Sequence, residues 1–243
     1  RRLGESIKAL NIYEQALAMS FRVSLTPKGE ALRTRLLAFV RECSNIFMKS
    51  YSIFSPITSI VQSSGTGKSR IAVELFRDLP GLYFVFRLPG STGYPKQSSW
   101  AKDLQDRTFK PTDRGLFERH VNNCKEALLS YVFAVINMLM AEIQKLPEND
   151  RKQSNKVHAI FKRVADEQVR NALEVPSRHD KFESGRNLST ELNTLFNMCG
   201  QQGPFLVVFD EAYDFGKGHE FKNRDVSGFS VLRCALAEIR AVD

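Results

Sequence analysis

Gln62-Ser63-Ser64-Gly65-Thr66-Gly67-Lys68-Ser69 is the stretch whose reading decides the fold. It matches the C-terminal half of the phosphate-loop pattern G-x-x-x-x-G-K-[ST], with Gln62 where the pattern has its first glycine. The flanks give the motif its context. Ile57 to Val61 is short, apolar and β-branched and runs straight into the glycines. Ile71, Ala72, Leu75 and Phe76 then follow at helical spacing and stop before Pro80-Gly81. Leu82 to Leu88 (LYFVFRL) reads as a second buried strand, followed by a turn-rich loop from Pro89 to Pro95. Strand, glycine loop, helix and strand in that order predict the start of an α/β fold with a parallel sheet. An ordinary polar turn before a helix is the competing reading.

The residue types suit phosphate chemistry. A phosphate is a dense array of acceptors, best held by several backbone N–H groups converging on one concavity, and glycines let the chain curl that tightly. A helix beginning in the loop adds its N-terminal partial positive charge. Ser64, Gly65, Thr66, Gly67, Lys68, Ser69 and Arg70 form the candidate nucleotide-binding set, with Lys68 reaching the β- and γ-phosphates and Ser69 a ligand of Mg²⁺. Phe205 to Phe209 (FLVVF) reads as a strand buried on both faces that delivers Asp210 and Glu211 to its C-terminal end. Open α/β sheets bind their ligands at that end. Asp210 is the second candidate Mg²⁺ ligand, and Glu211 the candidate general base beside Lys68 as the candidate catalytic residues. The chain has no Asn-Lys-x-Asp segment of the kind that reads guanine, so ATP with Mg²⁺ is the expected nucleotide.

The rest of the chain is expected to be mainly helical. Thr26-Pro27 offers an N-cap hydroxyl and a proline at the first helical position, ahead of Leu32, Leu36, Phe39, Val40, Cys43 and Phe47. Met19, Phe21, Val23 and Leu25 alternate with polar residues and suggest a short edge strand. Helices are predicted around 117–146, 156–173 and 188–199, the last stopped by Gly200. Together they form a large helical insertion at about 112–200, with Pro176–Arg186 as its loop. A polar loop and a final helix bearing Val226, Phe229, Leu232, Leu236 and Ile239 follow Glu211.

Composition narrows the class. With 42% hydrophobic and 26% charged residues the 243-residue chain has the balance of a soluble globular protein. Ala127–Ala141 is its most membrane-like stretch, but it is shorter than the roughly twenty residues a span needs, which predicts a buried core helix and no membrane partner. Cys43, Cys124, Cys199 and Cys234 are scattered, and so are the four histidines, so buried reduced thiols in an intracellular protein are expected. Residues 1–49 hold nine Lys/Arg against four Glu, a net +5 of the chain's +8. Such a basic region is either a solvated helix surface or a face for nucleic acid.

Four motifs in this order are similar to a known module. SSGTGKSR, FRLPGSTGYP, LVVFDEAY and SVLRCALAEIR resemble the P-loop NTPase (ASCE, AAA-like) module of the Crinkler-RHS-type proteins, over about Ser55 to Arg240. The resemblance implies an ATPase core joined to a variable effector domain, often nuclease-like, with some members acting in a host nucleus. With the charge and helical pattern of the N-terminal part, this divides the chain into a basic, mainly helical region at 1–50 and a P-loop domain at 51–243. It also implies that the strand and sensor residue expected after the Walker B region lie beyond Asp243, so that the chain as given would hydrolyse poorly. Three functions remain open on this reading: an ATPase that drives or switches an attached module, a nucleotide-binding regulatory module without significant turnover, and a small-molecule kinase. The kinase is disfavoured because it has no use for a water-activating Glu211. Oligomeric state is not legible.

Overall fold

A computed structural model describes residues 24–49, 67–87, 95–109, 117–170, 187–201, 203–212, 218–221 and 224–241. Its centre is a parallel pair of strands, β1 (Gly81–Val85) and β2 (Leu206–Asp210), in the register Gly81 to Leu206 through Val85 to Asp210. Period-2 alternation divides the pair into two apolar faces. Leu82, Phe84 and Phe86 share one face with Val207 and Phe209, and the rings of Phe84 and Phe209 stack across the strands at 5.4 Å. Tyr83 and Val85 share the other with Leu206 and Val208.

Helices cover both faces, so the class is mixed α/β. In chain order they are α1 (Pro27–Lys49), α2 (Lys68–Glu74, tightening into a 3-10 turn over Leu75–Arg77), α3 (Ser99–Thr108), α4 (Phe117–Gln144), the single turn α5 (Glu148–Arg151), α6 (Ser154–Val169), α7 (Leu188–Cys199) and α8 (Gly228–Ala241). The Phe84 face packs on the long apolar helix α4, where Tyr131 meets Phe84 edge-on at 5.6 Å, and on α3, while α7 and α8 pack against α4 and complete the same core. The Tyr83 face packs on Ala72, Val73 and Phe76 of the α2 region and on Ala165 and Val169 of α6. The segment expected as an insertion therefore lies directly on the sheet and supplies helices to both of its sides.

Parallel strands need all their backbone groups satisfied once buried. The edge of β1 away from β2 is closed by side chains. Gln168 of α6 accepts from the Tyr83 N–H at 2.8 Å and donates to the Gly81 carbonyl at 3.1 Å. Next along the same edge, the Val85 N–H donates to Ser98 Oγ at 3.2 Å, and the Ser98 N–H donates to the Val85 carbonyl at 3.0 Å. The same Ser98 hydroxyl accepts from Ala101 N and so caps α3. α1 leans on the α2 region through Leu37, Leu75 and Leu79. There Arg33 pairs with Glu30 and Asp78, which turns one of the basic residues of this region inward.

Several expectations hold and several need correction. Thr26 does cap α1, its Oγ1 accepting from Gly29 N at 3.2 Å, and Gly200 ends α7 in the left-handed conformation. Ala127–Ala141 lies within α4, which is long and apolar enough to cross a membrane yet buries Leu128, Tyr131, Val135, Ile136 and Leu139 inside this fold. The helix α3 was not expected, nor was an antiparallel hairpin of β3 (Gly218–Phe221) and β4 (Arg224–Ser227) where a polar loop was read. Val226 belongs to β4 rather than to the last helix, and Phe229 is exposed, because α8 turns Val231, Leu232 and Ala235 to the core. β2 is half-buried along its whole length, not buried on both faces. Of the thiols, Cys124 and Cys199 are buried, which pushes them up to about 12 and about 11, while Cys43 and Cys234 are only partly covered. The strand read at Ile57–Val61, the loop at Pro176–Arg186 and most of the strand read at Met19–Leu25 lie outside the described residues; Leu25 itself is not in a strand.

Candidate functional site

The site forms at the C-terminal end of the parallel pair, where β2 ends on Asp210. Residues 206, 208 and 210 share a face, so the Asp210 carboxylate emerges on the side that packs against α2. There it meets a residue of β1 that the sequence reading did not single out. The Tyr83 hydroxyl, almost wholly buried, donates to Asp210 Oδ2 at 2.7 Å. The Ser69 side chain, in the first turn of α2, lies beside the same phenol. Burial first, and then the charge of Asp210 and the bond to it, hold the Tyr83 phenol well above its ordinary range, against smaller opposing effects of Ser69 and Arg87. Tyr83 therefore remains a donor. Two residues assigned from sequence as metal ligands, 141 positions apart, are brought to one tyrosine: Asp210 bonded to its hydroxyl and Ser69 beside it.

The start of α2 shows why glycine is needed there. Gly67 adopts φ 80° and ψ 19°, the left-handed region, and its carbonyl accepts from Ile71 N at 3.0 Å. A residue with a Cβ pays about 1 kcal/mol or more for that conformation. Gly67 presents no side chain to cap the helix, and Lys68, Ser69 and Arg70 form its first turn, all half-buried. Ser64, Gly65 and Thr66 of the candidate set lie outside the described residues, as does Gln62.

Glu211 follows Asp210 with φ 55°, the only positive φ outside glycine among the described residues. Its carboxylate is half-exposed and lies 3.3 Å from Arg87 Nη2, and Arg87 Nε donates to the Pro95 carbonyl at 3.0 Å. Arg87 thus ties Glu211 to the far end of the PGSTGYP loop, whose residues 88–94 are outside the described set. The sequence signal for both overlooked residues was slight. A tyrosine in LYFVFRL counts as an ordinary strand former, and an arginine at a strand end as an ordinary surface charge.

The family of the chain is shown by a family model, described as a domain of unknown function (DUF8735), that matches residues 29–242. The chain belongs to that family. The DUF8735 match runs from α1 to α8 and so includes α1, the sheet and the candidate site in one stretch. No curated protein and no solved structure matches the chain. Among the described residues of this DUF8735 chain, no three His, Cys, Asp or Glu side chains come together as a metal-binding group. The donors that do converge, one carboxylate and one hydroxyl, are hard oxygens. Mg²⁺ fits such a pair, because it is commonly held by one or two carboxylates with waters and substrate phosphates filling the remaining positions.

Proposed function

We propose that this chain is a Mg²⁺-dependent ATP-binding domain of the P-loop NTPase type, which hydrolyses ATP to drive or switch an attached effector module. The observation that supports it most is the convergence of Ser69 and Asp210 on Tyr83 at the C-terminal end of two parallel strands. A glycine-led helix start and a strand-end acid meet where open α/β sheets take ligands. On this reading the amides around Gly67 and the Lys68 ammonium hold the phosphates, and Ser69 with Asp210 holds Mg²⁺, which would offset charge on the β- and γ-phosphates. Glu211 accepts a proton from the water that attacks the γ-phosphorus. The bond from that phosphorus to the bridging oxygen breaks, and the electron pair leaves with ADP. The motif resemblance supports the attached effector, the composition and scattered cysteines support an intracellular, soluble setting, and the basic residues of 1–49 support nucleic acid as a further partner.

A second reading has one specific observation in its favour. Glu211 is engaged by Arg87 and is half-exposed, an arrangement suited to a regulatory module that binds nucleotide without significant turnover. Calorimetric titration with ATP and Mg²⁺, followed by phosphate release, separates the two. The ATPase predicts binding that Lys68→Ala abolishes, and turnover that Glu211→Gln removes while binding stays intact. Because the resemblance implies slow turnover for this stretch alone, the release assay is read on a chain extended past Asp243, where binding with no release would leave the regulatory module standing. ATP affinity unchanged by Lys68→Ala would overturn the site itself.

A further inference from the structure

We propose that Tyr83 is the positioning residue of the metal site, its buried hydroxyl holding Asp210 and Ser69 in the arrangement that receives a divalent cation. This rests on the nucleotide-site reading above and adds to it a residue that neither the loop motif nor the strand-end acid contains.

The geometry points one way. The phenol O–H is given to Asp210 Oδ2 at 2.7 Å, and Ser69 lies beside the same phenol, its hydroxyl within reach of the phenol oxygen. Only one carboxylate oxygen of Asp210 is used in this way, so the other remains for ligation. The ring cannot swing out of this position. It stands edge-on to Phe76 at 6.2 Å and is enclosed by Ala72, Val73 and Val85, with Ala165 and Val169 beyond them. Its backbone is fixed as well, since the Tyr83 N–H is held by Gln168. A rigid donor buried in the core therefore sets the rotamers of two ligands that come from separate elements, α2 and β2. Outer partners of this kind orient metal ligands, and their loss commonly weakens metal affinity about 10–100-fold. Packing alone does not call for the hydroxyl, because a phenylalanine would fill the same core between Phe76 and Val85.

The test uses Mn²⁺ as a paramagnetic probe of the nucleotide-loaded chain. Tyr83→Phe is expected to weaken Mn²⁺ affinity about tenfold while leaving ATP affinity in EDTA unchanged. A merely structural role would lower both together or neither. Asp210→Asn should weaken Mn²⁺ binding too, and Tyr83→Phe added to Asp210→Asn should do no further harm, because the two act as a unit. In the unmutated chain, adding Mg²⁺ should produce a near-ultraviolet tyrosine difference band, and a silent spectrum would count against the proposal even if the variant failed to fold. Mn²⁺ affinity that is unchanged or tighter in Tyr83→Phe, while Asp210→Asn weakens it, would overturn the tyrosine's role alone. If Asp210→Asn and Ser69→Ala both left Mn²⁺ affinity untouched, the metal-site reading would fall and the tyrosine with it.

Discussion

The two central strands are neighbours of equal length and nearly equal hydrophobicity, and the structure treats them differently. Every residue of β1 is buried, and its outer edge is sealed by Gln168 and Ser98. Every residue of β2 is only half-buried, and among the described residues it pairs with β1 alone. β1 is thus finished as structure, with side chains standing in for a strand neighbour. β2 instead ends on the acid Asp210, and it is followed at once by the only non-glycine residue described with a positive φ, Glu211. Stability should therefore be concentrated at β1 and chemistry at the end of β2, and substitutions can separate them.

The largest effect is expected where the strands approach most closely. A Cβ on Gly81 would collide with the Leu206 carbonyl oxygen, a backbone atom that cannot move aside without losing the register. Gly81→Ala should cost about 4 kcal/mol, the upper end for a single substitution, read as a shift of the urea midpoint or as loss of soluble protein. A loss below about 1 kcal/mol would mean that the pair slides freely, and the contrast between a fixed and an open strand would collapse.

Next comes the seal itself. Gln168→Leu keeps the volume on α6 but leaves the Tyr83 N–H and the Gly81 carbonyl without their partner in the core, which should cost about 3 kcal/mol. The chain that remains folded should bind ATP in EDTA as before, since Gln168 closes the edge and reaches the site only through the Tyr83 backbone. Weakened ATP affinity at full occupancy of the folded state would show that the β1 edge is coupled to the site after all.

These residues also show how far the sequence could be read. Both strands were visible as short apolar runs, but FLVVF and LYFVF have the same pattern, and only three-dimensional packing distinguishes a sealed strand from a half-covered one. Gln168 sits in the apolar stripe of α6 with Val157, Ile160, Phe161 and Val164, where a polar residue looks like an interruption. Its use appears only when the edge it caps is in place. α3 escaped notice because SWAKDLQDRT turns just Trp100, Ala101, Leu104 and Thr108 inward. The β3–β4 hairpin escaped because two four-residue strands are too short to show alternation. At the site, the glycine loop and Asp210-Glu211 stood out because phosphate and metal chemistry, where it operates, restricts residue types at fixed spacing, and the structure places Gly67 at a helix start and Asp210 at a strand end. Tyr83 and Arg87 were not, because their roles depend on a contact across more than a hundred residues.

The smallest effect has the opposite sign. Glu211 has φ 55°, where a Cβ costs about 1 kcal/mol and glycine almost nothing. Its ion pair with Arg87 is half-exposed and contributes between about 0 and 1 kcal/mol. Glu211→Ala removes the pair but keeps the strain, so it should be neutral or slightly destabilising. Glu211→Gly removes both, and it should be more stable than Glu211→Ala by about 1 kcal/mol in the same urea titration. Both variants should lose hydrolysis on the proposed mechanism, so the difference between them isolates the backbone. An acid held in a strained conformation just after a half-covered strand has a structural cost that selection for stability alone would remove, and on the proposed mechanism that acid is the general base. Equal midpoints for the two variants would show that the left-handed turn is imposed by the chain on either side of Glu211. In that case the strain could not be assigned to the acid, and the distinction between a structural β1 and a functional β2 would rest on burial and edge capping alone.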